Sequence, residues 1–302
     1  MLIRQMAMMF CLMLIGYGAR KRNKLSQETC SQMSWIVINI ANPALILNSG
    51  MDPGTDMAGK ELLTVVGISA VMYLFLILCG VLLPRVLRIP AAERGIYNVM
   101  TVFSNVGFMG IPVVSAVFGS KGVLYTSFFN IFYSILLYTY GVRCFEGSRG
   151  KDGWKESVFN IGVISSILGL LIYLLRVPCG SLLPEFTAML GSLTAPLSML
   201  IVGAFIADVR FGEILRDRKV IIYLVFRMFL IPVIGSAFTV LLIEEKLMRG
   251  VCIIMLSVPV GSMVAMFARQ YHKYYEETAA IVGITSMISL VSIPLMLNLF
   301  LG

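Results

Sequence analysis

The sequence predicts an all-α polytopic membrane protein with ten transmembrane helices in a 5+5 inverted repeat. Three observations predict it. Hydrophobic residues make up 58% of the 302 residues, mean hydropathy is +0.89, and 13% of residues are charged, about half the share usual in a soluble domain. The charges are segregated, leaving apolar runs of about 20 residues, and a helix of that length crosses about 30 Å of hydrocarbon. A proline-interrupted apolar segment also occurs once in each half: SNVGFMGIPVV over Ser104–Val114 and MLSVPVGSMVAMF over Met255–Phe267. Proline removes a backbone donor and clashes with the preceding turn. Backbone freed at membrane depth is tolerated where it faces protein or a cavity, and matched interruptions in two halves point to a transport site.

The predicted spans run 2–19, 31–49, 61–83, 93–118, 121–143, 156–176, 183–207, 218–243, 247–268 and 276–300. The first has no positive cluster ahead of its apolar run and no small-residue cleavage site after it, so it reads as a span rather than a signal peptide. Pro43 lies inside the second and Pro196 inside the seventh, which makes these the least regular helices. Pro112 and Pro259 assign backbone breaks to the fourth and ninth. The halves, 1–145 and 154–302, are joined by the polar stretch Glu146 to Lys155. ANPALIL around Pro43 corresponds to APLSML around Pro196, and Pro112 to Pro259. Five spans per half is an odd number, so a repeated half enters the membrane with opposite topology.

Basic residues set the orientation. The loops after the odd-numbered spans hold Arg20, Lys21, Arg22, Lys24, Arg85, Arg88, Arg94, Arg143, Arg149, Lys151, Lys155, Arg210, Arg216, Arg218, Lys219, Arg269 and Lys273, most of the 24 Lys and Arg residues. The other side holds Arg4, Lys60, Lys121, Arg176, Lys246 and Arg249, and Arg227 lies within the eighth span. The bias places the odd-to-even loops in the cytoplasm and both termini outside. Topology thus accounts for the net charge of +8, and with no basic face or aromatic ladder no nucleic acid is expected as partner. Cys11, Cys30, Cys79, Cys144, Cys179 and Cys252 form no CxxC pair and read as small hydrophobes. His272 has no ligating neighbours, so no metal site and no cofactor is expected. No nucleotide motif suggests an ATP-driven pump.

Three segments resemble the auxin efflux carrier family: NVGFMGIPVVSAVFG (Asn105–Gly119), NPALIL (Asn42–Leu47), and SVPVGSMVAMFARQY (Ser257–Tyr271) followed by a last helix with the late Pro294. The resemblance covers nearly the whole chain, and Asn-x-x-x-Met-Gly-Ile-Pro is its most specific part. The family includes plant auxin exporters and bacterial carriers assigned to malate, malonate and similar organic acids. The resemblance implies a multi-pass protein of the bacterial inner or plasma membrane, with a fold broadly like bile-acid and sodium–proton transporters. Unwound helices four and nine would cross. Helices 1, 2, 6 and 7 would form a dimerising scaffold, and helices 3–5 and 8–10 a moving transport domain that works by elevator-type alternating access. The long hydrophilic loop of plant members is absent between helices five and six, which argues against auxin as the substrate.

In the family the matching asparagine faces the substrate, and the resemblance carries that role to Asn105. On its chemistry alone Asn105 is either a ligand-facing amide or one bonded across a helix interface. Ser104, Gly110, Ser257, Gly261 and Ser262 offer small polar or open surface beside the breaks, or a generic small-residue helix interface. Asn130 in the fifth span and Asn42 beside Pro43 are further candidate substrate contacts. Arg227 either attracts anions in a cytoplasmic vestibule or snorkels to the surface. Half-helix N-termini offer partial positive charge and free amide donors, which suit a carboxylate. No Asp or Glu falls near the middle of a predicted span, which argues against a proton or cation relay. Uniport stays open, as does sodium held by carbonyls and hydroxyls. The expected partners are a small organic anion, a second copy of the chain and the lipid bilayer. The alternatives are a sodium- or proton-coupled bile-acid-like symporter, a channel, or a non-transporting membrane receptor.

Overall fold

The computed structural model describes residues 2–51, 59–146, 161–208, 212, 216–271 and 273–301. His272, Arg149, Lys151, Lys155, Arg210 and most of the Glu146–Lys155 connection lie outside the described residues. The elements are α1 (Leu2–Lys21), α2 (Gln27–Ile36), α3 (Asn42–Met51), α4 (Gly59–Val86), α5 (Arg94–Val102), α6 (Ile111–Leu136), α7 (Val142–Glu146), α8 (Ile161–Leu175), α9 (Leu182–Gly191), α10 (Thr194–Ala207), α11 (Arg218–Val225), α12 (Ile231–Leu242), α13 (Lys246–Ser257), α14 (Ser262–Gln270) and α15 (Tyr275–Leu301).

Several of these join through wide π turns, at Val37–Ala41, Val106–Gly110, Leu137–Gly141 and Phe226–Leu230. Three of the four stand just ahead of a proline, and the cause is steric. Pro43, Pro112 and Pro232 cannot donate, and each ring crowds the carbonyl four residues back. The residue before each proline instead reaches one carbonyl further: Asn42 to Val37, Ile111 to Val106 and Ile231 to Phe226. One widened turn absorbs the clash and the helix continues.

The expected ten spans in a 5+5 repeat with crossing helices four and nine are corrected by this structure. Among the described residues six helical stretches are long and apolar enough to cross a membrane: Gln27–Met51, Gly59–Val86, Val106–Phe145, Leu182–Ala207, Arg218–Leu242 and Tyr275–Leu301. Ile161–Leu175 is a shorter apolar helix. Apolar runs read as single spans are not all single helices. The predicted ninth span divides into α13 of 12 residues and α14 of 9, each short of the roughly 20 residues a spanning helix needs. The predicted fourth span divides at Phe103–Asn105, and its second part runs on into the predicted fifth. That 40-residue stretch bends at Gly119, where φ is 65° and ψ is −157°, a conformation open to glycine and strained for other residues. The predicted seventh span is interrupted at Ser192 and Leu193, ahead of Pro196 rather than at it.

Two sets of helices pack mainly among themselves. In the first, α1 lies along α10, and α3 packs against α8 and α9. The approach is close enough to bring main chains together. A Cβ built on Gly203 would stand 2.0 Å from the Met13 carbonyl oxygen, and one on Gly16 would stand 2.1 Å from that of Leu200. Gly50 meets the Gly169 carbonyl in the same way, at 2.2 Å. In the second set, α4 packs on α5, α12 on α13, and α13 on α15. An ionic cluster ties this set at one end: Lys121 lies 3.3 Å from both Glu61 and Glu245, and the Tyr125 hydroxyl donates to Glu245 at 2.9 Å. The two sets meet where α6 touches α3 and α8, and where α10 touches α15 and the π turn Val106–Gly110.

Candidate functional site

The two interrupted helices meet at their breaks. Past α5 the chain turns extended at Phe103 (φ −98°, ψ 97°), and past α13 it does so at Val258 (φ −65°, ψ 150°). Ser104 and Val260 then form an isolated antiparallel β-bridge. The Asn105 amide donates to the Pro259 carbonyl at 2.8 Å, and the Gly261 amide donates to the Phe103 carbonyl at 2.8 Å. The Val260 amide donates to Thr285 Oγ1 at 3.2 Å. Helix ends leave backbone groups without intrahelical partners, and buried ones must be paired elsewhere; here each break pairs the other. Gly261 permits the approach, since a Cβ there would stand 3.0 Å from the Phe103 carbonyl oxygen and 3.1 Å from that of Ser104.

Polar side chains line this junction. Asn105 Oδ1 accepts from the Phe108 amide at 3.2 Å, capping the helix that restarts there. Its Nδ2 donates to Ser262 Oγ at 3.2 Å, linking the starts of the two restarting helices. Ser104, Asn105 and Ser262 are each 3% exposed, so the junction is closed to solvent in this conformation. Ser104 Oγ accepts from Arg227 Nη2 at 2.7 Å. An asparagine amide has two donors and two lone pairs, so these two bonds leave capacity for a ligand.

The other residues singled out in the sequence fall around this junction or away from it. The first break opens at Phe103–Asn105, not at Pro112, which stands in the first turn of α6 behind the π turn. Pro259 lies at the second break itself. Gly110 packs against Met255, whose Cε would be 2.9 Å from a Cβ at that position. Ser257 donates back to the Ile253 carbonyl of its own helix at 2.7 Å. Asn42 Nδ2 donates to the Gly107 carbonyl at 3.2 Å, and its buried Oδ1 has no hydrogen-bond partner among the described residues. Asn130 is not brought to the junction: it donates to Ser166 Oγ at 3.3 Å and to the Gly162 carbonyl at 3.2 Å, both on α8.

Arg227 does not snorkel in this conformation: it is 0% exposed and its guanidinium is turned inward to the breaks. Its place inside an apolar run was the one visible sign of this. Thr285 carried no sign, since its function depends on a contact with a residue 25 positions away. Among the described residues no group of three or more His, Cys, Asp or Glu is placed to hold a metal ion.

Six stretches long and apolar enough to cross a membrane, in an all-helical bundle, mark the class as a polytopic membrane protein. The profile of the membrane transport protein family matches residues 1–153 and 150–297, and the chain belongs to that family. This is the family of the auxin efflux carriers that the Asn105–Gly119 segment resembles, and it is a family of transporters rather than enzymes. The chain is similar to an uncharacterized transporter of Methanothermobacter thermautotrophicus, at 23% identity over 293 residues, 94% of this chain and 93% of the relative. It is also similar to an uncharacterized transporter of Methanocaldococcus jannaschii, at 25% identity over 297 residues and 94% of each chain.

Proposed function

We propose that the protein is a secondary carrier of a small organic anion, which binds at the junction of the two breaks and crosses by elevator-type alternating access. The observation that carries this reading is the buried Asn105–Ser262 pair, held where two helices restart. Helix starts offer amide donors and partial positive charge, which favour a carboxylate. The packing supports a division into a scaffold of α1–α3 and α8–α10 and a moving part of α4–α7 and α11–α15. Asn42 and Asn130 lie on the seam between them, where their hydrogen bonds would be exchanged during motion. Counterflow in proteoliposomes tests the carrier. Preloading with unlabelled malonate, malate or indole-3-acetate should accelerate uptake of the same labelled acid, and uptake should saturate. Flux that neither saturates nor responds to preloading would make the protein a channel.

The orientation set by the basic residues belongs to the same proposal. A cysteine at Asn23, exposed after α1, should react with an impermeant reagent only in opened cells, and one at exposed Ser181 should react in intact cells. The reverse pattern would invert the topology.

A further inference from the structure

We infer that Arg227 is the positioning residue that closes both breaks and makes their junction select for negative charge. Its Nη2 donates to Ser104 Oγ at 2.7 Å and to the Val258 carbonyl at 3.4 Å. Nη1 donates to the Leu256 carbonyl and Nε to the Met100 carbonyl, each at 3.4 Å. Met100 lies near the end of α5, and Leu256 and Val258 at the end of α13. These are the carbonyls that an interrupted helix leaves without partners, and helix C-termini carry partial negative charge. One planar guanidinium, with five donors in a fixed fork, answers two helix ends at once; a lysine ammonium lacks that spread.

The charge is not cancelled by these bonds. All four acceptors are neutral oxygens, and among the described residues the titratable groups acting on Arg227 are Tyr223, one turn earlier in the same helical stretch, and Cys79 on α4. A buried cation that faces only dipoles is costly, and its field reaches further in a low-dielectric interior than in water. Ser104, which takes the shortest of the four bonds, is the chain neighbour of Asn105. Arg227 therefore places a fixed positive charge behind the amide to which the proposed function assigns the substrate, without touching that substrate. The inference rests on that reading, and it names the residue that sets charge preference there.

The experiment measures affinities by calorimetry, with melting temperatures alongside, for malonate, malate and indole-3-acetate and for the amide of each. The proteins are wild type, Arg227→Lys, Arg227→Met and Cys79→Asp. Wild type should prefer an acid over its amide by tenfold or more. Arg227→Lys should keep most of that ratio while melting lower. Arg227→Met should reduce it to within about threefold of unity and leave amide affinity little changed, since the field acts on charge. Cys79→Asp adds a negative charge on α4 at a position whose field reaches Arg227 and should lower the ratio while Arg227 keeps all its donors, so the test survives if Arg227→Met fails to fold. A wild-type ratio kept in Cys79→Asp, or in a folded Arg227→Met, overturns the inference and makes Arg227 a structural pin. A wild type that binds every acid and amide equally overturns the anion reading first.

Discussion

Asn105→Ala should weaken carboxylate binding by about 10- to 150-fold, the equivalent of the roughly 1.5–3 kcal/mol lost with a hydrogen bond to a charged partner. The structure separates two contributions of this side chain. Oδ1 caps the helix at the Phe108 amide, and Nδ2 faces Ser262 across the junction. Alanine removes both, and loss of the cap alone costs about 1 kcal/mol of stability, so the melting temperature must be read beside the affinity. Asn105→Asp isolates the second contribution. A carboxylate still accepts from Phe108 and suits a helix start, so the fold should hold. It also places negative charge where an anion would bind, and like charges repel strongly in a buried site. Binding should therefore fall further in Asn105→Asp than in Asn105→Ala while melting changes less. Serine at the exposed Cys11 serves as the control and should change neither. Wild-type affinity in Asn105→Ala would remove the site from this junction, and loss of binding that tracks unfolding would make Asn105 structural.

Gly203→Ala should lower the melting temperature by several degrees. Its Cβ would enter within 2.0 Å of the Met13 carbonyl oxygen, and Gly16 meets Leu200 in the same interface. Backbone on both sides leaves no side chain to swing aside, so α1 and α10 must separate. Overpacking of this kind costs about 1–3 kcal/mol, against a gain of up to about 1 kcal/mol in helix propensity on replacing glycine. Separation also forfeits the close van der Waals packing on which helices in lipid depend. Gly18→Ala and Gly67→Ala, with nothing within 4 Å of the added Cβ, should be neutral or slightly stabilising. If Gly203→Ala melts with these two, the α1–α10 contact is not as close as the structure has it.

Much of the chain's class was legible in its sequence. Apolar runs marked the membrane-crossing stretches, and helix limits followed the charges closely: α4 covers Gly59–Val86 where 61–83 was expected, and α15 covers Tyr275–Leu301 where 276–300 was expected. Two proline-bearing segments called attention to each other, and they do meet, at Ser104 and Val260. The number of spans was not legible, because hydropathy does not report whether a 22-residue run is one helix or two. Nor was the place of the first break. Proline signals a local clash, and at Pro112 one π turn relieves it, while the chain opens nine residues earlier at Phe103. Side-chain partners far apart in sequence stayed hidden for a different reason. Asn130 and Asn105 are both asparagines in apolar runs, and only tertiary packing turns one to α8 and the other to Ser262. Arg227 looked like a surface-seeking cation because three of its four acceptors are carbonyls, which every residue has and no sequence pattern distinguishes, and the fourth, Ser104, is 123 positions away.

The central claim is that the junction of the two breaks binds an anion. It is tested most directly by calorimetric titration of the protein in lipid nanodiscs with malonate, malate and indole-3-acetate, each against its amide, at a pH where the acids are ionised. The account predicts that at least one acid binds tenfold or more tightly than its amide, a difference of about 1.4 kcal/mol, and that Asn105→Asp abolishes the preference. Equal affinities across all three pairs, or a preference that survives in Asn105→Asp, would contradict it.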